Sequence, residues 1–281
     1  MGHNLTLHDR ELEWIHKLQQ GLRTPFTDYF FIGWNYVDTL GFSMFLVSLV
    51  WYLINRRVGI RLLYILILSS VINSILKNYF GSPRPCQIDP SVGLLCLSSC
   101  GFPSGAAQTA IILASVVVIE CRRRLYWYLG YTFAFFLCFS RIYLGVHYFS
   151  DILGGVIVGG VLSLIYWKLF PLMERIWKLS AFLFPILLLC IQQSSSLYFF
   201  GVSLGVAIGL LSSEKRQCPR EPRTKMRCIQ ALSIVSGLFA LYASTILYPT
   251  LTVLWAFTSG LWISYLGPWI FQKCMKKPFK P

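Results

Sequence analysis

The sequence predicts an all-α, polytopic transmembrane helical bundle, and three observations carry that expectation. Of the 281 residues, 56% are hydrophobic and only 13% are charged. The apolar residues come in blocks rather than at amphipathic spacing, and blocks of about 20 residues cross a bilayer as helices. The basic residues fall on alternate connectors between those blocks. Nine spans are expected, at 37–54, 61–78, 105–120, 125–142, 148–168, 180–193, 197–212, 229–247 and 250–271. Some are short or contain glycine, which leaves eight or ten open.

The charge pattern orients the chain. Nineteen of the 25 Lys and Arg sit on one set of connectors, around Arg56 to Arg61, Arg122 to Arg124, Lys168 to Lys178, Lys215 to Arg227 and Lys273 to Lys280. The other side keeps Arg10, Lys17, Arg23, Lys77, Arg84 and Arg141. Positive connectors mark the cytoplasmic face. The N-terminus is therefore expected outside, in periplasm or lumen, and the basic C-terminus inside. A net charge of +14 would suggest nucleic acid in a soluble chain. No basic face here interleaves aromatics, so nucleic acid is not an expected partner and anionic membrane lipids are.

Three regions are expected: 1–35 as an outside-facing interfacial segment, 36–170 as a catalytic membrane core, and 171–281 as additional spans with a basic cytoplasmic loop and tail. Residues 9–23 place Leu12, Ile15, Leu18 and Leu22 at helical spacing among charges, the pattern of a helix lying in the interface. The N-terminus shows no cleavable leader. Met1-Gly2 with Thr6 fits a myristoylation pattern, and Asn4-Leu5-Thr6 fits a glycosylation sequon, both short and common. Cys86, Cys96 and Cys100 share one outside loop, where a disulfide is permitted but spacing does not say which two pair. No paired-cysteine metal spacing occurs, and no metal or other cofactor is expected.

Charged groups at the ends of spans are functional suspects, and three outside-facing segments concentrate them. In KNYFGSPRP, Lys77 ends a span and Arg84 follows between two prolines that stop the helix. In GFPSGAAQ, Pro103-Ser104-Gly105 opens an apolar helix, so a hydroxyl and unpaired backbone N–H groups meet a positive dipole end. In SRIYLGVHYFSD, His147 and Asp151 are four residues apart, on one helical face, and Arg141 precedes them. Taken singly, these are snorkelling cations, an ordinary cap and an interfacial histidine. Taken together, Lys77, Arg84, Arg141 and the N–H groups near Ser104 supply donors for an oxyanion with several oxygens. His147 is the candidate nucleophile and Asp151 its orienter. Phosphate suits such a clamp.

The three segments resemble the type 2 phosphatidic acid phosphatase superfamily. Its pattern is Lys, six residues, Arg-Pro; then Pro-Ser-Gly-His; then Ser-Arg, five residues, His, three residues, Asp. Lys77, Arg84 and Pro85 match the first element, and Ser140, Arg141, His147 and Asp151 the third. Pro103, Ser104 and Gly105 match the second, which fails at Ala106. The resemblance implies a phosphohistidine on His147, oriented by Asp151. Lys77, Arg84, Ser104, the Gly105 N–H and Arg141 would then bind the phosphoryl oxygens, with a phosphorylated lipid as substrate. The nine-span layout is also similar to the glucose-6-phosphatase branch.

Ala106 stands where the family's general acid is a histidine. General acid catalysis contributes about 10²–10⁴ in rate, and an alkoxide leaving group needs the proton. The phosphate leaving from a pyrophosphate, with a second pKa of about 6, can depart without one. A lipid pyrophosphate, such as a polyprenyl pyrophosphate, is thus the expected substrate of an active enzyme, by hydrolysis or phosphoryl transfer. Two alternatives stand beside it: a general phosphomonoesterase disabled by an engineered His-to-Ala change, and a non-catalytic or transporter-like binder of lipid phosphate. His16 is one conceivable replacement acid, and Gln108 is a polar helix contact or a substrate donor. The spans after 171 hold no second constellation. Sequence leaves the oligomeric state unassigned.

Overall fold

The computed structural model describes residues 7–121, 123–173, 177–190, 196–215, 224–247 and 249–276. Gly2, the sequon at Asn4, Arg122, Arg175 and most of the basic loop and tail lie outside the described residues. No strand occurs among those described. Helix α1 (Leu7–Leu22) lies over most of the amphipathic stretch 9–23. It stops where Thr24 and Thr27 cap each other's backbone and Pro25 takes the first turn of α2 (Pro25–Asn35). A tight turn, Tyr36–Asp38, then leads into α3 (Leu40–Leu49) and a π-helical turn, Val50–Ile54.

Helix α4 (Arg56–Phe80) ends on Gly81, whose φ of 59° closes the last turn by donating its N–H to Lys77 O at 2.9 Å. A short helix, α5 (Pro85–Ile88), opens the loop between α4 and α6. Next come α6 (Gly105–Glu120), α7 (Arg124–Tyr143) and α8 (Phe149–Met173). The remaining helices are α9 (Trp177–Leu189), α10 (Ser196–Lys215), α11 (Thr224–Leu247), α12 (Thr252–Leu261) and α13 (Gly267–Lys276).

A helix lies over each of the nine expected apolar blocks. By length and hydropathy, four helical segments suffice to cross a membrane alone: Arg56–Ile88, Phe149–Pro171, Ser196–Ser213 and Met226–Ala243. The pair Pro25–Asp38 and Leu40–Ile54, bent by 68°, adds a fifth if it is one broken span. Helix α6, with 16 residues, is shorter than a bilayer core requires. The chain is an integral membrane protein.

Two compact units divide the chain, one of Met1–Phe42 with Leu68–Lys168, the other of Ser43–Ile67 with Leu169–Pro281. In the first, α8 lies directly on α6. A Cβ at Gly155 would stand 2.4 Å from Ser104 O, and one at Gly159 would stand 2.7 Å from Gln108 O. Small residues let backbones approach in this way where lipid offers no hydrophobic drive. Ala106, Ala110 and Ala114 on α6 pack against Ala134 and Leu137 on α7, with Trp34 and Val37 at the edge. In the second unit, α10 packs on α12 by the same device, since a Cβ at Gly205 would stand 2.1 Å from Phe257 O.

Candidate active site

All the sequence-derived site residues belong to the first unit, at helix ends that meet. Lys77 closes α4, Ser104 caps α6, Arg141 closes α7 and Asp151 lies in the first turn of α8. Ser104 N donates to Asp151 O at 3.0 Å, which ties the start of α6 to the start of α8. The Ser104 hydroxyl accepts from Ala107 N at 3.4 Å as the helix cap. Arg84 arrives from the loop between α4 and α6 and is 2% exposed.

His147 sits in the turn between α7 and α8 and is 4% exposed. Its Nδ1 faces Asp151 Oδ2 at 3.1 Å, and the same oxygen accepts the Tyr148 N–H at 3.0 Å. A carboxylate in that position selects the tautomer with the proton on Nδ1. The lone pair is then on Nε2, which lies 3.1 Å from Arg84 Nη1. Burial, and then the positive charges of Arg84, Lys77 and Arg141, hold the imidazole well below its ordinary range. It is neutral at neutral pH.

Each cation is held differently. Arg84 also donates to Ser99 O at 2.6 Å, Ser99 Oγ at 2.9 Å and Val146 O at 2.8 Å. The Lys77 ammonium rests on the carbonyls of Cys100 and Gly101. Arg141 is 1% exposed and donates from Nη1 to Asn35 Oδ1 at 2.7 Å. Its Nη2 is 3.3 Å from Asp38 Oδ2, an ion pair without hydrogen-bond geometry. The Nε and Nη2 donors of Arg141 therefore remain buried with no hydrogen-bond acceptor. Buried donors of a charged group are costly when unmet. An oxyanion placed against them removes that cost.

The turn carrying His147 is fixed from outside. Gly145 has φ of 68°, and a Cβ there would stand 2.1 Å from Val92 O, so only glycine fits. Cys86 N donates to Gly145 O and Leu94 N to Leu144 O, both at 3.1 Å. The Cys86–Cys96 disulfide closes the loop that makes these contacts, and Cys100 is free. Helix α1 also packs on these segments. Glu11 accepts from Ser150 N at 2.7 Å and Ser150 Oγ at 2.9 Å, which caps α8. Gln19 donates to Val92 O at 2.8 Å and Tyr143 O at 2.7 Å, while His8 stacks on Tyr148.

His16, a conceivable replacement acid, and Gln108, a helix contact or substrate donor by sequence, are both engaged elsewhere. His16 Nε2 is 2.8 Å from Asp89 Oδ2. Ser91, ahead of His16, holds the Asp89 carboxyl down at about 2. Gln108 is fully buried, donates to Ser69 O and Oγ, and accepts from Asn73 at 3.1 Å. That is the polar helix contact. Sequence reasoning missed Glu11, Asn35 and Asp38. Asp38 carried a usable signal, being an acid inside the first apolar block.

Ala106 is 1% exposed within its alanine cluster. An imidazole there must displace neighbours, and overpacking costs about 1–3 kcal/mol. Ala106→His is therefore expected to melt at lower temperature in detergent than the unaltered chain, as differential scanning fluorimetry would read.

This geometry defines the class: an integral membrane protein with an oriented, neutral, buried histidine near two buried arginines and a half-buried lysine. Residues 58–175 match the PAP2 superfamily. It is 25% identical over 233 residues to a dihydrosphingosine 1-phosphate phosphatase of Schizosaccharomyces pombe, covering 71% of this chain and 56% of that protein. A dihydrosphingosine 1-phosphate phosphatase of Saccharomyces cerevisiae is 30% identical over 191 residues, 62% of this chain and 44% of that one. The chain thus spans about half the length of these curated relatives. The crystal structure of Aquifex aeolicus LpxE is similar with a TM-score of 0.51 and 26% identity, covering 59% of this chain and 97% of that one.

Proposed function

We propose that this protein is a membrane lipid phosphatase that works through a phosphohistidine on His147. The observation that carries the reading is the His147 ring itself, held by Asp151 at Nδ1 and presenting Nε2 beside Arg84. The Nε2 lone pair attacks phosphorus, the bond to the leaving oxygen breaks, and that oxygen departs with a proton where it is an alkoxide. Water then attacks the phosphohistidine, the P–N bond breaks, and its electron pair returns to Nε2 as phosphate leaves. Lys77, Arg84, Arg141, Ser104 and the Gly105 N–H hold the phosphoryl oxygens. Asp151 stabilises the positive charge that the ring gains.

The substrate is a phosphorylated lipid, in keeping with two relatives named for dihydrosphingosine 1-phosphate. Ala106 favours a second leaving group, the phosphate of a lipid pyrophosphate such as a polyprenyl pyrophosphate. The site faces the periplasm or lumen. Arg56, Arg57 and Arg61 lie at the start of α4, opposite Lys77, and Arg123 and Arg124 lie opposite Arg141 on α7.

The test is a trapping experiment. Protein in detergent is mixed with a ³²P-labelled lipid phosphate and quenched in alkali, which preserves phosphohistidine. Label is expected on the peptide containing His147 and absent from His147→Ala. Phosphate release without any labelled peptide, in an experiment fast enough to catch one turnover, would overturn the covalent route.

A further inference from the structure

We infer that Asp38 is the general acid of this site, taking over from the turn after α2 the duty that Ala106 cannot perform. The inference rests on the phosphatase reading above and names the group that protonates the leaving oxygen. Such a group must lie next to the phosphoryl cage, must not be the partner of the nucleophile, and must be open to substrate.

Asp38 satisfies all three. Its Oδ2 is 3.3 Å from Arg141 Nη2, the guanidinium nitrogen that has no hydrogen-bond acceptor. A phosphoryl oxygen bound to Arg141 would thus lie within a guanidinium's width of the Asp38 carboxyl. Lys77 and Arg84 are also within electrostatic reach of Asp38, and of Asp151 as well. The cations therefore face two carboxyl groups, of which Asp151 is committed to His147 and Asp38 is not. Asp38's side chain is 29% exposed, whereas Arg141 beside it is 1% exposed.

Its position is set by the fold rather than by chance. Asp38 ends the tight turn after α2, where the backbone bends by 68° into the next helix. Val37, next to it, packs on the cluster that contains Ala106. The acid is therefore delivered to the neighbourhood that a histidine at 106 would have served.

The other acids near the site are occupied. Asp151 holds His147 and Tyr148, and Glu11 caps α8 through Ser150. His8 stacks on Tyr148 and acts on Asp151, behind the nucleophile, and His16 pairs with Asp89.

The step balances without a further reactant. As His147 Nε2 bonds to phosphorus, the P–O bond breaks and the Asp38 carboxyl gives its proton to the leaving alkoxide, releasing an alcohol. The Asp38 carboxylate then takes a proton from the water that attacks the phosphohistidine. The carboxyl is regenerated as phosphate leaves.

The experiment compares the unaltered chain, Asp38→Asn and Asp38→Glu on two substrates in mixed micelles. One is a lipid phosphate monoester and the other a lipid pyrophosphate. Asp38→Asn is expected to lose about 10²–10⁴-fold in kcat on the monoester, with the pyrophosphate changed less than about tenfold because its leaving group needs no proton. Turnover of the pyrophosphate by the same preparation shows that the variant is folded. Asp38→Glu keeps an acid and is expected to retain part of the monoester rate. The limb of the monoester pH profile that reports loss of an acid, shaped by Arg141, Lys77 and Arg84 around Asp38, is expected to vanish in Asp38→Asn. Full monoester activity in Asp38→Asn overturns the proposal. So does an equal loss on both substrates, which would make Asp38 only a partner that positions Arg141. Failure of the phosphatase reading looks different: the unaltered chain would be inert on both substrates and would give no labelled His147.

Discussion

His147→Ala is expected to lower kcat on any lipid phosphate by about 10⁴–10⁶-fold, the scale seen when a covalent nucleophile is removed. The loss should be in kcat, with lipid binding kept, because Lys77, Arg84 and Arg141 remain to hold the phosphoryl group. Arg84 then loses one partner, Nε2, but keeps Ser99 and Val146. The same variant carries a stability signature. Burial and the surrounding cations place the folded-state affinity of His147 for protons below its unfolded value, which is about 6.5. The unfolded chain therefore binds more protons as pH falls through that value. Stability contributed by neutral His147 is present above about pH 6.5 and is lost on acidification. Melting in detergent between about pH 7.5 and pH 5 should show a fall that is shallower in His147→Ala. Retained turnover in the variant would remove His147 from the mechanism, and an unchanged melting slope would remove it from the pH response.

Much of the site was legible because the chain's periodicity and charge pattern constrain it. Lys77, Arg84, Ser104, Arg141, His147 and Asp151 lie at the ends of apolar blocks, and a bilayer forces those ends to one level. The helices over those blocks follow from the same constraint. What the sequence hid depends on tertiary approach. Glu11 reads as one more charge on an amphipathic helix until α1 is seen to cap α8 through Ser150. Asp38 reads as an isolated acid near the start of a span until the bend after α2 brings it to Arg141. Cys86, Cys96 and Cys100 were equivalent by spacing, and only the folding of α5 and its loop sets Cys86 and Cys96 at a Cα separation of 5.7 Å. Gln108 was ambiguous in one dimension, and its partners on α4, Ser69 and Asn73, settle it as a helix contact. Ala106 tells which side chain is absent but not which other segments pack around that position.

Asp151→Asn is expected to lower kcat by about 10²–10³-fold, less than the roughly 10⁴-fold found where an amide also imposes the wrong tautomer on the histidine. The geometry also says which half of the carboxylate's work is lost. Asp151 Oδ2 receives two donors, the Tyr148 N–H at 3.0 Å and His147 Nδ1 at 3.1 Å. An asparagine oriented with its nitrogen there would oppose the Tyr148 N–H, so its oxygen takes that place. His147 then keeps an acceptor at Nδ1 and its tautomer survives. What disappears is the negative charge, in a pocket that still holds Lys77, Arg84 and Arg141. The phosphohistidine carries positive charge on its ring, and without the carboxylate that charge forms among three cations with no counter-ion near Nδ1. The penalty falls on the transition state more than on substrate binding, because the free ring is neutral. Single-turnover kinetics should therefore show slow formation of the phosphohistidine with an almost unchanged dissociation constant for the lipid. ¹⁵N spectra of the resting variant should still show the proton on Nδ1. A lipid dissociation constant weakened in proportion to kcat would mean that Asp151 serves the phosphate cage, and a proton found on Nε2 would mean that it serves the tautomer.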